Sequence, residues 1–219
     1  MAKKSQKEKL TDDVIIGMYM DYVLEHETVP KSIYKFCKSN EIKEEEFYKF
    51  FGSIETIQTA IWEKFYTNTH SLIVTSDDYD SYSNKDKMLT FYFSMFELLT
   101  MNRSYVLFTL KEHKNLLKNL SQLKGLRGHI KTFATELIND GNSDKNFKLT
   151  KKNPKVFSEG AWFQFLFLLK FWMDDSSPAF EKTDVAIEKS VNTVFDVFEN
   201  TPLDSLIDFG KFLYKENFA

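Results

Sequence analysis

A single cysteine, Cys37, stands in 219 residues. It excludes an internal disulfide framework and any metal site built on several thiolates. Glycine and proline are scarce, at seven and four. That leaves little material for the tight turns of an all-β chain, and long stretches without either residue favour helices. No run of about 18 apolar residues occurs, so no segment is expected to span a membrane. The longest apolar block, AWFQFLFLLKFWM, is broken by Gln164 and Lys170. The basic start MAKKSQKEKL meets the acidic TDD with no apolar stretch behind it, unlike a secretory leader. A cytoplasmic chain without integral membrane association is expected.

Catalytic signatures are missing as well. His26, His70, His113 and His129 are scattered without metal-ligand spacing. No Gly-rich phosphate loop and no nucleophile elbow occurs. No enzymatic activity, metal or cofactor is expected. Charge of one sign is missing too: the net charge is −3, and residues 1–60 hold nine Lys against eleven Asp or Glu, a net −2. A domain that grips nucleic acid is usually visibly basic.

What is abundant is aromatic. Phe, Tyr and Trp make up 16% of the chain, 22 of them Phe, and they fall at helical spacing. Residues 1–10 read as a flexible, Lys-rich arm. Thr11 suits an N-cap, with Asp12 and Asp13 favourably placed in the first turn. Val14, Ile15, Met18 and Tyr22 then mark a helix to about Glu27. Pro30 suits the opening of a second helix, with Ile33, Phe36 and Cys37 on one face. A short third helix holds Phe47, Phe50 and Phe51. Gly52 stops it and Ser53 caps a fourth, with Ile54, Ile57, Ile61, Phe65 and Leu72 as its stripe. Residues 75–84 read as a loop, 85–101 and 104–120 as helices split at Asn102, and 122–139 as another helix. Residues 139–154 are the most loop-like stretch. Helices near 156–173, 179–199 and 202–217 complete an all-α chain.

The stretch SIYKFCKSNEIKEEEFYKFF (32–51) supplies two helices and a short turn, the parts of a helix-turn-helix. Phe36, Ile42 and Phe47 would form its internal wedge. With Ile42 in the turn, FYKFF at 47–51 and GSIETI at 52–57, residues 11–65 resemble the DNA-binding domain of the TetR family of bacterial regulators. The resemblance implies an N-terminal helix-turn-helix domain over 11–65 and a larger helical effector-binding and dimerisation domain over 66–219. It implies a homodimer that binds operator DNA under control of a small effector. Residue by residue, it gives Tyr48 a phosphate contact and Lys43 and Lys49 base or backbone contacts. Glu44 joins this set because a glutamate accepts from cytosine N4.

The chain departs from the family pattern in three respects. Ile54 stands where a phosphate-binding Lys is usual, Glu41 where the turn carries Gly, and Lys43, Glu44, Glu45 and Glu46 where the reading helix starts with small or polar residues. Carboxylates near phosphates weaken attraction. They also favour a helix N-terminus, so the three acids have a structural reading as well.

The C-terminal half carries its own pattern. Trp162, Phe163, Phe165, Leu166, Phe167, Leu169 and Trp172 surround one helix almost completely. Such a helix is buried centrally or packs on a partner as well as its own core. The family resemblance makes 156–173 and 179–199 the dimer helices, with Phe165, Leu169 and Trp172 at the seam. Phe91, Met95, Phe96, Phe108 and Trp162 are the candidate effector wall. A pocket of this composition takes an apolar ligand, and core packing explains the same residues. The pair Trp162-Phe163, MDDSSPAF and Thr183 are also similar to ubiquinone-biosynthesis lipid-binding proteins of the COQ-nine type, which share the fold without repressing transcription. That likeness implies an alternative: an apolar-ligand carrier that does not bind DNA.

Overall fold

In the computed structural model, the described residues are 9–111, 116–143 and 153–200. Ten α-helices run through them with no strand among the described residues, so the expected all-α class holds. The expected final helix at 202–217 lies outside the described residues. The chain divides into two compact units. Residues up to Asn68 join Glu97–Arg127 in the first, and Thr69–Phe96 joins the chain from Gly128 onward in the second. The first unit thus contains more than a helix-turn-helix.

The first unit opens with α1 (Asp12–His26), α2 (Ile33–Ser39) and α3 (Glu44–Phe47). Thr11 caps α1, its hydroxyl accepting from Val14 N at 3.2 Å. The Lys64 ammonium lies 2.9 Å from Asp12 and 2.8 Å from Asp13. That hydrogen bond holds the Asp12 carboxyl below its ordinary range. The buried stripe of α1 is Ile15, Ile16, Tyr19 and Val23. It is rotated from the expected Val14, Ile15, Met18 and Tyr22 because the large Tyr19 turns inward. There its ring meets Phe36 and Tyr105 edge-on, at 6.1 and 6.4 Å. Pro30 does not open α2. It is buried ahead of the helix, and Ser32 is the cap, accepting from Lys35 N at 3.2 Å.

The remainder of this unit comes from the start of α4 (Ile54–Val74), the end of α5 (Asn84–Met101), α6 (Arg103–Lys111), α7 (Leu116–Ser121) and the start of α8 (Lys124–Ser143). A buried polar chain ties α4, α6 and α7. Trp62 Nε1 donates to Gln122 Oε1 at 2.9 Å, and Gln122 Nε2 donates to the carbonyls of Thr109 and Asn119 at 3.2 and 2.9 Å. Asn119 in turn donates to the Leu110 carbonyl at 2.9 Å. Buried amides of this kind stay in a core only when bonded.

In the second unit α5 meets α8 and α9 (Pro154–Asp174) through Phe91 and Phe96, and α10 (Glu181–Asn200) packs on α9. Asn153 caps α9 and Pro154 starts it, a position where the missing N–H costs nothing. Residues 139–143, expected in a loop, instead extend α8. Just ahead of that stretch the Asn84 amide donates to the Leu137 carbonyl at 2.7 Å. Leu72, expected on the apolar stripe of α4, is exposed, while Ile73 beside it is buried.

Candidate functional site

The helix-turn-helix is built around Phe36, Phe47 and, in its turn, Ile42. Phe36 and Phe47 are fully buried and meet edge-on at 6.0 Å. Ile42 is half-buried in the turn, and its N–H donates to the Cys37 carbonyl at 3.0 Å. This is the expected wedge. Edge-on aromatic pairs of this kind add about 0.5–1.5 kcal/mol beyond their buried area. Ser53 and Thr56 then cap α4 reciprocally. Thr56 N donates to Ser53 Oγ at 3.3 Å and Ser53 N donates to Thr56 Oγ1 at 2.9 Å.

Glu41, at the family's Gly position, has φ 55°. The backbone there is left-handed, so the turn keeps the geometry that Gly would supply and a side chain with a Cβ carries the strain. Left-handed backbone costs a non-Gly residue about 1–2 kcal/mol, partly offset by the greater freedom of Gly in the unfolded chain. Glu41→Gly is expected to stabilise by roughly 0.5–1 kcal/mol, read as a rise in melting temperature of about 1–4 °C. A fall would contradict this account of the turn.

The three glutamates divide their roles. Glu46 turns back on its own helix, its Oε2 accepting from Lys43 N at 3.4 Å. Glu44 is half-buried, and its charge adds to the burial that pushes the Cys37 thiol up to about 11. That thiol is structural rather than reactive. Only Glu45 is fully outward, 3.5 Å from the Lys43 ammonium. The structural reading of the acids therefore accounts for Glu46 directly. Lys43, Tyr48 and Lys49 are exposed, Tyr48 to 52% although its ring edge touches Phe47. Glu44, by contrast, is partly withdrawn.

Of the residues expected around an effector, Phe91, Met95, Phe96 and Trp162 belong to the second unit and Phe108 to the first. Phe91 packs on Phe133 at 4.9 Å, Phe96 on Phe165 at 5.9 Å, and Trp162 stacks on Phe165 at 5.7 Å. Met95 accepts from the Thr69 hydroxyl through its sulfur at 3.5 Å. Tyr92, next to Phe91 on α5, is fully buried, and its hydroxyl donates to the Ala161 carbonyl at 3.0 Å. Burial pushes its phenol far above the ordinary range. Phe108 lines an open groove of about 630 Å³ with Val23, Leu24, Glu27 and Ser104.

Phe165, Leu169 and Trp172, expected at a dimer seam, are buried inside the subunit. Phe96 and Trp172 meet at 6.2 Å, so the core takes the face that the sequence reading gave to a partner. The outward stripe of α9 is Phe163, Phe167 and Phe171, exposed to 67%, 55% and 37%. They recur every four residues and share one face. Gln164, which seemed only to interrupt an apolar block, is buried and donates to Ser190 Oγ of α10 at 3.0 Å. The MDDSSPAF motif has a local role as well. Asp175 is buried and accepts from the amides and hydroxyls of both Ser177 and Thr183, at 2.6–2.9 Å. It ends α9 and its carboxylate takes the Thr183 amide in the first turn of α10, which gives the motif a structural role without a lipid.

A helix-turn-helix on an all-α chain, followed by a larger helical part, is the architecture of TetR-type regulators. Residues 87–213 match the family of tetracyclin repressor-like C-terminal domains, and the chain belongs to it. The crystal structure of a protein named a TetR-family transcriptional regulator, from Syntrophomonas wolfei, is similar in fold. It has 16% sequence identity and a TM-score of 0.64, over 87% of this chain and 95% of that one. No curated protein matches.

Proposed function

We propose that the chain is a cytoplasmic, ligand-responsive transcriptional regulator that binds operator DNA as a homodimer. The observation that carries this is the intact helix-turn-helix, with its Phe36–Phe47 wedge, its left-handed turn at Glu41 and exposed Lys43, Tyr48 and Lys49. Family membership supports the same reading. Tyr48 and Lys49 meet phosphates, and Lys43 lies at the start of the reading helix where base edges are reached. Glu44 remains the candidate acceptor for a cytosine N4, with Glu45 beside it more exposed.

Homodimerisation uses the outward stripe Phe163, Phe167 and Phe171 of α9. The effector is small and apolar, held among Phe91, Met95, Phe96 and Trp162 after these side chains part. Its binding shifts the balance between two arrangements of the reading heads, so that they no longer match half-sites one helical turn apart.

A salt titration of duplex binding tests the reading. Wild-type protein is expected to bind its own upstream duplex more tightly than a random one. Lys49→Ala weakens both alike and flattens the slope of log affinity against log salt by about one unit. Wild type that binds no duplex at low salt sinks the proposal in favour of an apolar-ligand carrier.

A further inference from the structure

The reading head separates its charges by helix. Residues 31–39 hold Lys31, Lys35 and Lys38 with no acid, a net +3, while residues 41–49 hold four Glu against Lys43 and Lys49, a net −2. The helix that would enter the groove is thus acidic, and the helix before it is basic. We propose that the outer face of α2 is the principal phosphate grip of this protein: Lys35 and Lys38, with Lys31 just ahead of the helix and Tyr34 among them, hold the backbone of duplex DNA. This rests on the regulator reading above and assigns the strongest attraction to a different helix.

The geometry of α2 favours such a strip. Phe36 and Cys37 point into the core, with Ile33 half-buried beside them. Tyr34, Lys35 and Lys38 lie on the opposite side at helical spacing, and all three are exposed, Tyr34 to 57%. The Lys38 ammonium sits 5.9 Å above the Tyr34 ring. A cation over an aromatic face is attracted to it, so Lys38 is held on the strip rather than left to swing freely. The phenol beside it adds a hydrogen-bond donor of the kind that bonds phosphate oxygens.

The charge arithmetic gives the strip its work. Non-specific affinity for duplex comes from neutralised phosphates, and each one adds about 0.9 to the salt slope. Lys35 and Lys38 on α2, with Lys31 ahead of it, exceed what Lys43 and Lys49 supply against four nearby acids. In a helix-turn-helix the first helix crosses the backbone while the second reads bases. Here that division lets α3 carry acids, because the lysines of and before α2 overcome their repulsion. Among polyanions the strip fits a duplex: lysines one turn apart on a rigid helix, beside an exposed reading helix, match a backbone bordering a groove.

The test compares the salt dependence of three full-length proteins on the same random duplex: wild type, the triple variant Lys31→Gln/Lys35→Gln/Lys38→Gln, and Lys31→Arg/Lys35→Arg/Lys38→Arg. The triple Gln variant is expected to flatten the slope by about two to three units, against about one for Lys49→Ala. The triple Arg variant keeps the wild-type slope, and circular dichroism melts of all three agree, which separates lost charge from lost fold. A wild type that binds duplex while the triple Gln variant keeps its slope overturns the inference and leaves the regulator reading standing. A wild type that binds no duplex at low salt overturns both. Equal, lysine-dependent binding to vesicles of anionic lipid overturns the assignment to DNA. Tyr34→Phe, with the ring kept, is expected to weaken duplex binding a few-fold at unchanged slope, because it removes a donor and no charge.

Discussion

Replacing Phe163 and Phe167 with Asp is expected to convert a constitutive dimer into a folded monomer. Both rings lie on the exposed face of α9 and neither belongs to the core of its own subunit. Burying a Phe fully contributes about 1.5–3 kcal/mol. In a two-fold interface each substitution is made twice, so the double variant loses about 6 kcal/mol or more. At about 1.4 kcal/mol per tenfold change, the dissociation constant rises roughly ten-thousand-fold, before any cost of burying unpaired carboxylates. Sedimentation at micromolar concentration should show dimeric wild type and monomeric variant, with the helical spectrum retained. Phe165→Asp gives the opposite behaviour. Phe165 is fully buried against Phe96 and Trp162, so its substitution unfolds the subunit. A monomeric wild type, or a double variant that stays dimeric, would place the seam elsewhere.

That contrast shows where the sequence was readable. Helical periodicity and caps gave α1, α4, α5 and α9 nearly whole, because Thr11 and Ser53 are caps whose chemistry is local. The wedge Phe36–Ile42–Phe47 was legible for the same reason. The face of α9 was not. A helix with aromatics almost all round has no periodicity that says which side the core takes, and the choice depends on Phe96 of α5 and on α10 packed against it. The buried roles of Gln122 and Gln164 are not legible in sequence because Trp62, Thr109 and Ser190, which they bond, lie 13 to 60 residues away. Nor does a sequence state that Glu46 bonds to the N–H of Lys43 while Glu45 points outward. The triple acid could be given a structural reason, but its division into separate roles is a matter of rotamer and turn geometry.

Asp175→Ala is expected to cost about 3 kcal/mol at neutral pH. The connection from α9 to α10 contains two residues in left-handed backbone, Ala179 at φ 51° and Phe180 at φ 60°, each costing about 1–3 kcal/mol in a residue with a side chain. Something must hold that turn. Phe180 rests against Trp172 at 6.3 Å, and Asp175 gathers the two ends: Ser177 Oγ at 2.6 Å and its amide at 2.8 Å, Thr183 Oγ1 at 2.7 Å and its amide at 2.9 Å. Thr183 is 1% exposed, so without Asp175 its hydroxyl and amide lose a partner that water cannot readily replace. Hydrogen bonds to a charged group contribute about 1.5–3 kcal/mol each and do not simply add, which sets the total near 3 kcal/mol. For a chain of this length that is a fall in melting temperature of about 6–12 °C. The effect carries a pH signature. Burial alone would raise the Asp175 carboxyl, but the four donors outweigh it and hold the group at about 2, below the ordinary aspartate value of about 3.9. A depressed folded value means that the stabilisation is fully present above about pH 4 and is lost as pH falls toward 2. Melting curves of wild type should therefore converge on those of Asp175→Ala across that acid window. Curves that stay parallel down to pH 2 would show that the carboxylate does not hold the turn.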